Sequence, residues 1–173
     1  VALDPSRGKV YWVTDHDVGN GAVWRCNMDG TSVELVYTRQ YASPWGIALD
    51  SAGGAVYWTD WSYEVIQRLS SDGLQATTVL SGLYSPVAIA IDEAGRKMYW
   101  VGGRTLRRAN LDGTAIETVR SYSQDASFNP GRVAIDSARG KIYWTDNAPR
   151  RIRRANLDGS DVEELASGLP PLS

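Results

Sequence analysis

The chain has 173 residues, 43% of them apolar, which suits a folded domain with a buried core and not a disordered segment. A formal charge of -2 supplies no basic excess for tracking phosphates, so a nucleic-acid partner is not expected. No apolar run approaches the roughly 20 residues that cross a bilayer, so no membrane span and no remaining signal peptide are expected.

The chain opens at Val1 without an initiator Met, as a processed secreted protein or an excerpt of a longer chain would. Cys26 is its single cysteine, which rules out an intrachain disulfide framework and a thiolate zinc site. Within Trp24-Arg25-Cys26-Asn27, alternation sets it opposite Arg25. It is read either as a buried apolar group or as a link to a second chain in a homo-oligomer.

Repeats dominate the rest. An apolar strand ending in Asp occurs at residues 1–4, 47–50, 89–92 and 133–136. A Tyr-Trp pair follows each, at Tyr11, Tyr57, Tyr99 and Tyr143, with spacings of 46, 42 and 44 residues. An Asp-Gly turn comes next, at Asp29-Gly30, Asp72-Gly73, Asp112-Gly113 and Asp158-Gly159, between short alternating segments of the hairpin kind. In the second repeat the predicted strands are 46–50, 55–60, 65–69 and 77–80. Four short antiparallel strands in about 40 to 45 residues are the dimensions of a β-propeller blade. Helical periodicity is absent.

Tyr57-Trp58-Thr59-Asp60, Tyr143-Trp144-Thr145-Asp146 and the run Ile152-Arg153-Arg154-Ala155-Asn156-Leu157-Asp158-Gly159 resemble the YWTD-type, class B repeats of the low-density lipoprotein receptor family, and the resemblance covers the whole chain. WD40 repeats have a similar period, but their Gly-His partner is missing and the only histidine is His16. The resemblance implies an all-β propeller of four blades, each a four-stranded antiparallel sheet, in one domain over 1–173 with blades at roughly 1–44, 45–86, 87–130 and 131–173. It implies that each Tyr-Trp-Thr-Asp lies on the second strand, with aromatics wedged between blades and the Asp bonding across to the next blade. It also implies an extracellular, non-catalytic recognition module.

Two repeats depart from the pattern. The first reads Tyr11-Trp12-Val13-Thr14-Asp15, with one extra residue that a β-bulge would absorb. The third reads Tyr99-Trp100-Val101-Gly102, lacks Thr and Asp, and predicts a junction without its inter-blade bond. Propellers of this family usually have six blades, so four are expected to close on themselves or through oligomerisation, or else to be an excerpt of a longer array. Pro171-Leu172-Ser173 followed by Val1-Ala2-Leu3-Asp4 stays in phase with residues 86–92, consistent with either route.

Loops between blades (37–44, 81–86 and 121–130) and between second and third strands (15–21, 60–64, 102–104 and 146–151) emerge on one face of a propeller. They carry Tyr41, Trp45, Trp61, Tyr63, Tyr84, Tyr122 and Phe128, and aromatics of this kind make binding hot spots. Trp45 would alternatively plug a channel. Arg132 replaces the small residue seen at Gly46 and Ala88, and would hold an anionic ligand group or pair with an acid such as Asp125. The candidate ligand-binding set is therefore Tyr41, Trp45, Trp61, Tyr63, Tyr84, Phe128 and Arg132. Two arginine groups (Arg104, Arg107, Arg108 and Arg150, Arg151, Arg153, Arg154) read as a basic stripe or as strand faces balanced by nearby acids.

Chemistry beyond binding has little support in the residues. Asp15, Asp17 and Asn20 before Gly21 miss the spacing of a calcium loop, so no metal is expected. His16 has no nucleophile to partner. Asp4, Asp50, Asp92 and Asp136 recur at one repeat position, as turn or inter-blade structure would. No phosphate loop or dinucleotide fingerprint occurs, so no catalytic residue and no cofactor are expected. The expected partner is an extracellular protein or, alternatively, a glycan bound by the same face. Trp61 has no aromatic counterpart at Gly103 or Asn147, which favours one composite site over a pocket per repeat.

Overall fold

The computed structural model describes residues 1–15, 19–70, 75–121, 130–146 and 150–168, and these form sixteen strands and one 3-10 turn. The first sheet contains β1 (Ala2–Asp4), β2 (Lys9–Thr14), β3 (Asn20–Asn27) and β4 (Glu34–Gln40). The second contains β5 (Pro44–Asp50), β6 (Ala55–Asp60), β7 (Val65–Leu69) and β8 (Ala76–Leu80). The third contains β9 (Pro86–Asp92), β10 (Lys97–Gly102), β11 (Thr105–Asn110) and β12 (Glu117–Ser121). The fourth contains β13 (Pro130–Asp136), β14 (Lys141–Asp146), β15 (Arg151–Asn156) and β16 (Glu163–Ala166), with the 3-10 turn at Ser137–Arg139. Within each sheet the strands lie side by side in chain order. The strands expected in the second repeat all form, to within two residues.

Local chemistry sets this pattern. The recurring Asp closes the turn after the first strand in three of the sheets: Asp4 Oδ1 accepts from the Arg7 amide, Asp50 Oδ1 from Gly53 and Asp136 Oδ1 from Arg139. Such Asx turns give the chain its reversal without borrowing a ladder bond. The Asp-Gly turns work the same way, with Asp29, Asp112 and Asp158 each accepting from the residue two positions on. Every third-to-fourth strand pairing carries a register shift at the same repeat position, at Val23/Trp24, Ile66/Gln67, Leu106/Arg107 and Ile152/Arg153.

The first repeat differs from expectation. Its β2–β3 register runs unbroken from Lys9 against Asn27 to Thr14 against Ala22, so no bulge absorbs the extra residue. Asp15 falls beyond the strand instead, because a connection takes an insertion more cheaply than a hydrogen-bonded ladder does.

The chain divides into two compact units, Val1–Ile89 and Ala90–Ser173, with the division inside β9. In the first unit the first sheet presents Tyr11, Val23 and Tyr37 to Val56, Trp58 and Leu69 of the second. Tyr37 tilts against Trp58 with ring centroids 5.0 Å apart, a favourable aromatic geometry. All six residues of β6 are buried, so this strand reads as continuous core and not as an alternating half-buried strand. Beyond it, Gly46 lies so close to β9 that an added Cβ would come within 2.8 Å of the Val87 carbonyl oxygen.

In the second unit, Met98, Trp100, Leu106, Ile142 and Trp144 are buried. The junction between third and fourth sheets lacks the Thr and Asp of the motif, yet it is not without crossing bonds. The Tyr99 hydroxyl and Arg108 Nη1 both donate to the Leu157 carbonyl, at 3.2 and 2.9 Å. The expected bare seam is thus corrected: the Tyr of Tyr-Trp and the Arg opposite it on β11 supply the bonds that Val101 and Gly102 cannot.

Cys26 is free and buried, in keeping with the packing reading. Among the described residues no helix is long and apolar enough to cross a membrane.

Candidate functional site

The site is built on Asp60, the last residue of β6. Its side chain is fully buried, and Oδ1 accepts from three backbone amides, those of Ser43, Ser62 and Tyr63, each at 3.1 Å. Ser43 belongs to the connection entering the second sheet, while Ser62 and Tyr63 belong to the connection between β6 and β7. One carboxylate therefore ties two loops together, with charge-assisted bonds that are stronger than neutral ones. Two further bonds complete the tie: the Trp61 amide to the Ser43 carbonyl, and the Ser62 hydroxyl to Ser43 Oγ, both at 2.9 Å.

This corrects the role expected for Asp60. The motif residue that crosses to the next sheet is Thr59, whose Oγ1 accepts from the Gly46 amide at 2.9 Å and donates to the Val87 carbonyl at 3.2 Å. A hydroxyl can do both, whereas an ionised carboxylate only accepts and so turns to the amide-rich loops. In the fourth sheet Thr145 Oγ1 likewise accepts, from the Arg132 amide at 2.9 Å.

The tied loops carry aromatic side chains. Tyr41, Trp45, Trp61 and Tyr84 leave between 49 and 75% of their surface exposed. Trp45 and Trp61 follow the paired residues Pro44 and Asp60, at the same end of the β5–β6 hairpin. Trp45 is thus half exposed. Tyr41 adopts a left-handed backbone, φ 57°, and its amide donates to the Gly19 carbonyl at 2.7 Å. Tyr84 sits beside Leu83, whose amide donates to the Glu64 carbonyl at 2.9 Å, which joins the loop entering the third sheet to the β6–β7 connection.

Tyr63 is half-buried and doubly held. Its hydroxyl donates to the Gln40 carbonyl at 2.9 Å, and the Arg39 guanidinium lies over its ring, 3.3 Å from the centroid. Arg39 was not singled out by the sequence, because it sits on an exposed edge strand, β4, with nothing local to mark it.

Of the expected set, the structure gathers Tyr41, Trp45, Trp61, Tyr63 and Tyr84 around the loops of the first unit. Arg132 is exposed on β13, in the second unit. Phe128 and Tyr122, with Asp125, His16 and Asp17, lie outside the described residues. The arginine groups divide toward the balanced reading: Arg108 pairs with Glu117, Arg151 with Glu164, Arg153 with Asp146 and Arg154 with Glu163. Among the described residues no group of three or more His, Cys, Asp or Glu side chains is placed to hold a metal ion.

Comparison with known proteins agrees with the sheet order and the motif. The family model for the low-density lipoprotein receptor repeat class B matches residues 54–93. A chain in the crystal structure of a nidogen/laminin complex superposes with a TM-score of 0.83 at 26% identity, over 95% of this chain and 64% of that one. Residues 54–93 thus match a class B repeat, and the four sheets are similar to those of the nidogen/laminin structure.

The chain is also similar to a human low-density lipoprotein receptor-related protein 5-like protein, 32% identical over 81 residues, which are 46% of this chain and 31% of that protein. Against mouse low-density lipoprotein receptor-related protein 5 it is 46% identical over 61 residues, 35% of this chain and 4% of that protein. The matches therefore span less than a third of either relative.

Proposed function

We propose that this protein is a non-catalytic extracellular recognition module that binds a protein ligand through the loops tied by Asp60, with Tyr41, Trp45, Trp61, Tyr63 and Tyr84 as contact residues. The observation that carries the reading is the combination of exposure and anchorage. Four of these aromatics are about half exposed or more, yet the loops that bear Tyr41, Trp45 and Trp61 are held by a buried carboxylate and the loop of Tyr84 by the Leu83 amide on the Glu64 carbonyl. Exposed aromatics on pre-ordered loops lose little entropy on binding, which is why they dominate protein interfaces.

The relatives support a protein ligand and an extracellular setting: they are receptor-related proteins, and the structural relative was solved in a nidogen/laminin complex. The recurring Asp residues close turns, which argues for a structural role over paired carboxylate catalysis. Arg132, exposed on β13, and Phe128 remain separate candidates of the second unit.

The test is binding of the labelled chain to an array of secreted and ectodomain proteins and, in parallel, to a glycan array, with a Trp45→Ala/Trp61→Ala variant alongside. A protein signal lost in the folded variant supports the reading. A glycan signal lost in the same way establishes a lectin instead. Binding that survives the double substitution removes the aromatic loops from the site.

A further inference from the structure

The basic side chains of the first unit are spent within it, with one exception. Of its four arginines, Arg7 pairs with Asp4, Arg25 pairs with Glu34, and Arg68 Nε donates to the Tyr57 hydroxyl. Its one lysine, Lys9, donates to Asn27. Arg39 is the exception. Among the described residues its guanidinium meets no acid and no hydrogen-bond acceptor, and lies instead over the Tyr63 ring, 3.3 Å from the centroid. Arg39 stands two residues from Tyr37 on β4, so it shares the face that the first sheet turns to the second, where Tyr37 meets Trp58.

Tyr63 fixes where this charge stands. Its hydroxyl donates to the carbonyl of Gln40, the residue after Arg39, and its amide donates to Asp60 Oδ1, which also receives the Ser43 amide. The cation is thus stitched to the same loops that display Tyr41, Trp45 and Trp61. The ring contact holds the exposed guanidinium by its charge and leaves its N–H donors without an acceptor. Those donors form a rigid fork that matches a carboxylate, and a side chain already laid on a ring loses less freedom when it binds one.

We infer that Arg39 is the charged contact of this site, and that the ligand presents an Asp or Glu carboxylate close to a large apolar side chain that packs on the exposed indoles. The inference rests on the loop site proposed above and specifies what that site recognises. A single unspent cation suits a singly charged carboxylate. A phosphate carries close to two charges and is held by clusters of arginines, whereas the exposed residue that follows Tyr63 is an acid, Glu64. The neighbouring carboxylate of Asp60 does not compete for Arg39, because it is buried and its Oδ1 is spent on three amides.

The experiment is binding of the labelled chain to an array of peptides in which Asp or Glu neighbours Leu, Phe or Trp, each spotted beside its Asn or Gln counterpart. Arg39→Gln, Arg39→Lys and Trp45→Ala/Trp61→Ala are run with the parent, with circular dichroism confirming that each folds. The parent is expected to prefer the acidic peptides over their amide counterparts at least about tenfold. Arg39→Gln should abolish that preference while leaving the amide peptides unchanged, and Arg39→Lys should restore only part of it, since an ammonium lacks the fork. A parent that binds both kinds equally, or binds neither, overturns the inference. An Arg39→Gln variant that weakens both kinds alike overturns it too, because the arginine would then only position Tyr63. Binding that is indifferent to the carboxylate yet lost in the Trp variant sinks this inference and leaves the loop site standing. Acidic-peptide binding that survives the Trp variant removes the loops from the site and takes the inference with them.

Discussion

The hydroxyl of Thr59 donates to the carbonyl oxygen of Val87 across 3.2 Å, joining the second strand of one sheet to the first strand of the next while also receiving the Gly46 amide. Thr59→Val keeps the shape and removes both bonds. It should cost about 1–3 kcal/mol, since the Gly46 amide is left buried and unpaired. Thr145→Val, which releases the Arg132 amide on an exposed stretch, should cost less. Urea midpoints of the two variants check the order, and equal losses would sink the bridging role.

Asp60 organises the proposed binding loops, so Asp60→Ala should loosen them before it unfolds the chain. Three amides lose a charged acceptor, for which a loss of about 2–3 kcal/mol is expected. Limited proteolysis should then cut within residues 40–44 and 61–64 faster than in the parent. A variant as resistant as the parent would show that the hydrogen bonds to Asp60 are incidental.

Gly30 and Gly159 share a left-handed conformation, φ 85° and 88°, but not a neighbour. Alanine at either position bears the backbone cost of about 1–2 kcal/mol. At Gly159 the new methyl also strikes the Val119 carbonyl, which should add about 1–3 kcal/mol. Thermal melts of the two variants measure the difference directly, and an equal shift would mean that the turn can move away from Val119.

Acid should destabilise the protein from one side only. Hydrogen bonds from Arg25 and Arg108 hold the Glu34 and Glu117 carboxyls below the usual glutamate range. The hydroxyls of Thr31, Thr114 and Ser160 hold Asp29, Asp112 and Asp158 below the aspartate range. Groups with a depressed folded pKa contribute stability that is complete above the unfolded value, about 4, and is lost as pH falls through the folded value. Urea midpoints should therefore be flat from neutral pH to about 5 and decline below about 4. A midpoint that rises on acidification would contradict these assignments.

Strand number, sheet boundaries and turn positions were legible in the amino-acid sequence because they rest on local chemistry. The Tyr-Trp spacing, the Asp-Gly turns and the Asp after each first strand act within a few residues, and alternation does the rest. Left-handed residues were only half legible: Gly19 marks the end of the β2–β3 connection, whereas Glu64, Arg104 and Arg150 adopt the same conformation before the third strand without a glycine to signal it.

What the tertiary structure decided is which neighbour each motif residue meets. The same Tyr-Trp pair gives a buried Trp58 and a partly bare Trp12, because burial depends on the sheet laid against the face and not on the pair itself. The same is true of Thr59 and Asp60: adjacent in the chain and pointing to opposite sides of β6, they are assigned a neighbouring strand and a pair of loops by the register between sheets. Arg39 came over Tyr63 for the same reason, since 24 residues of chain had to fold into two sheets before the two side chains could touch.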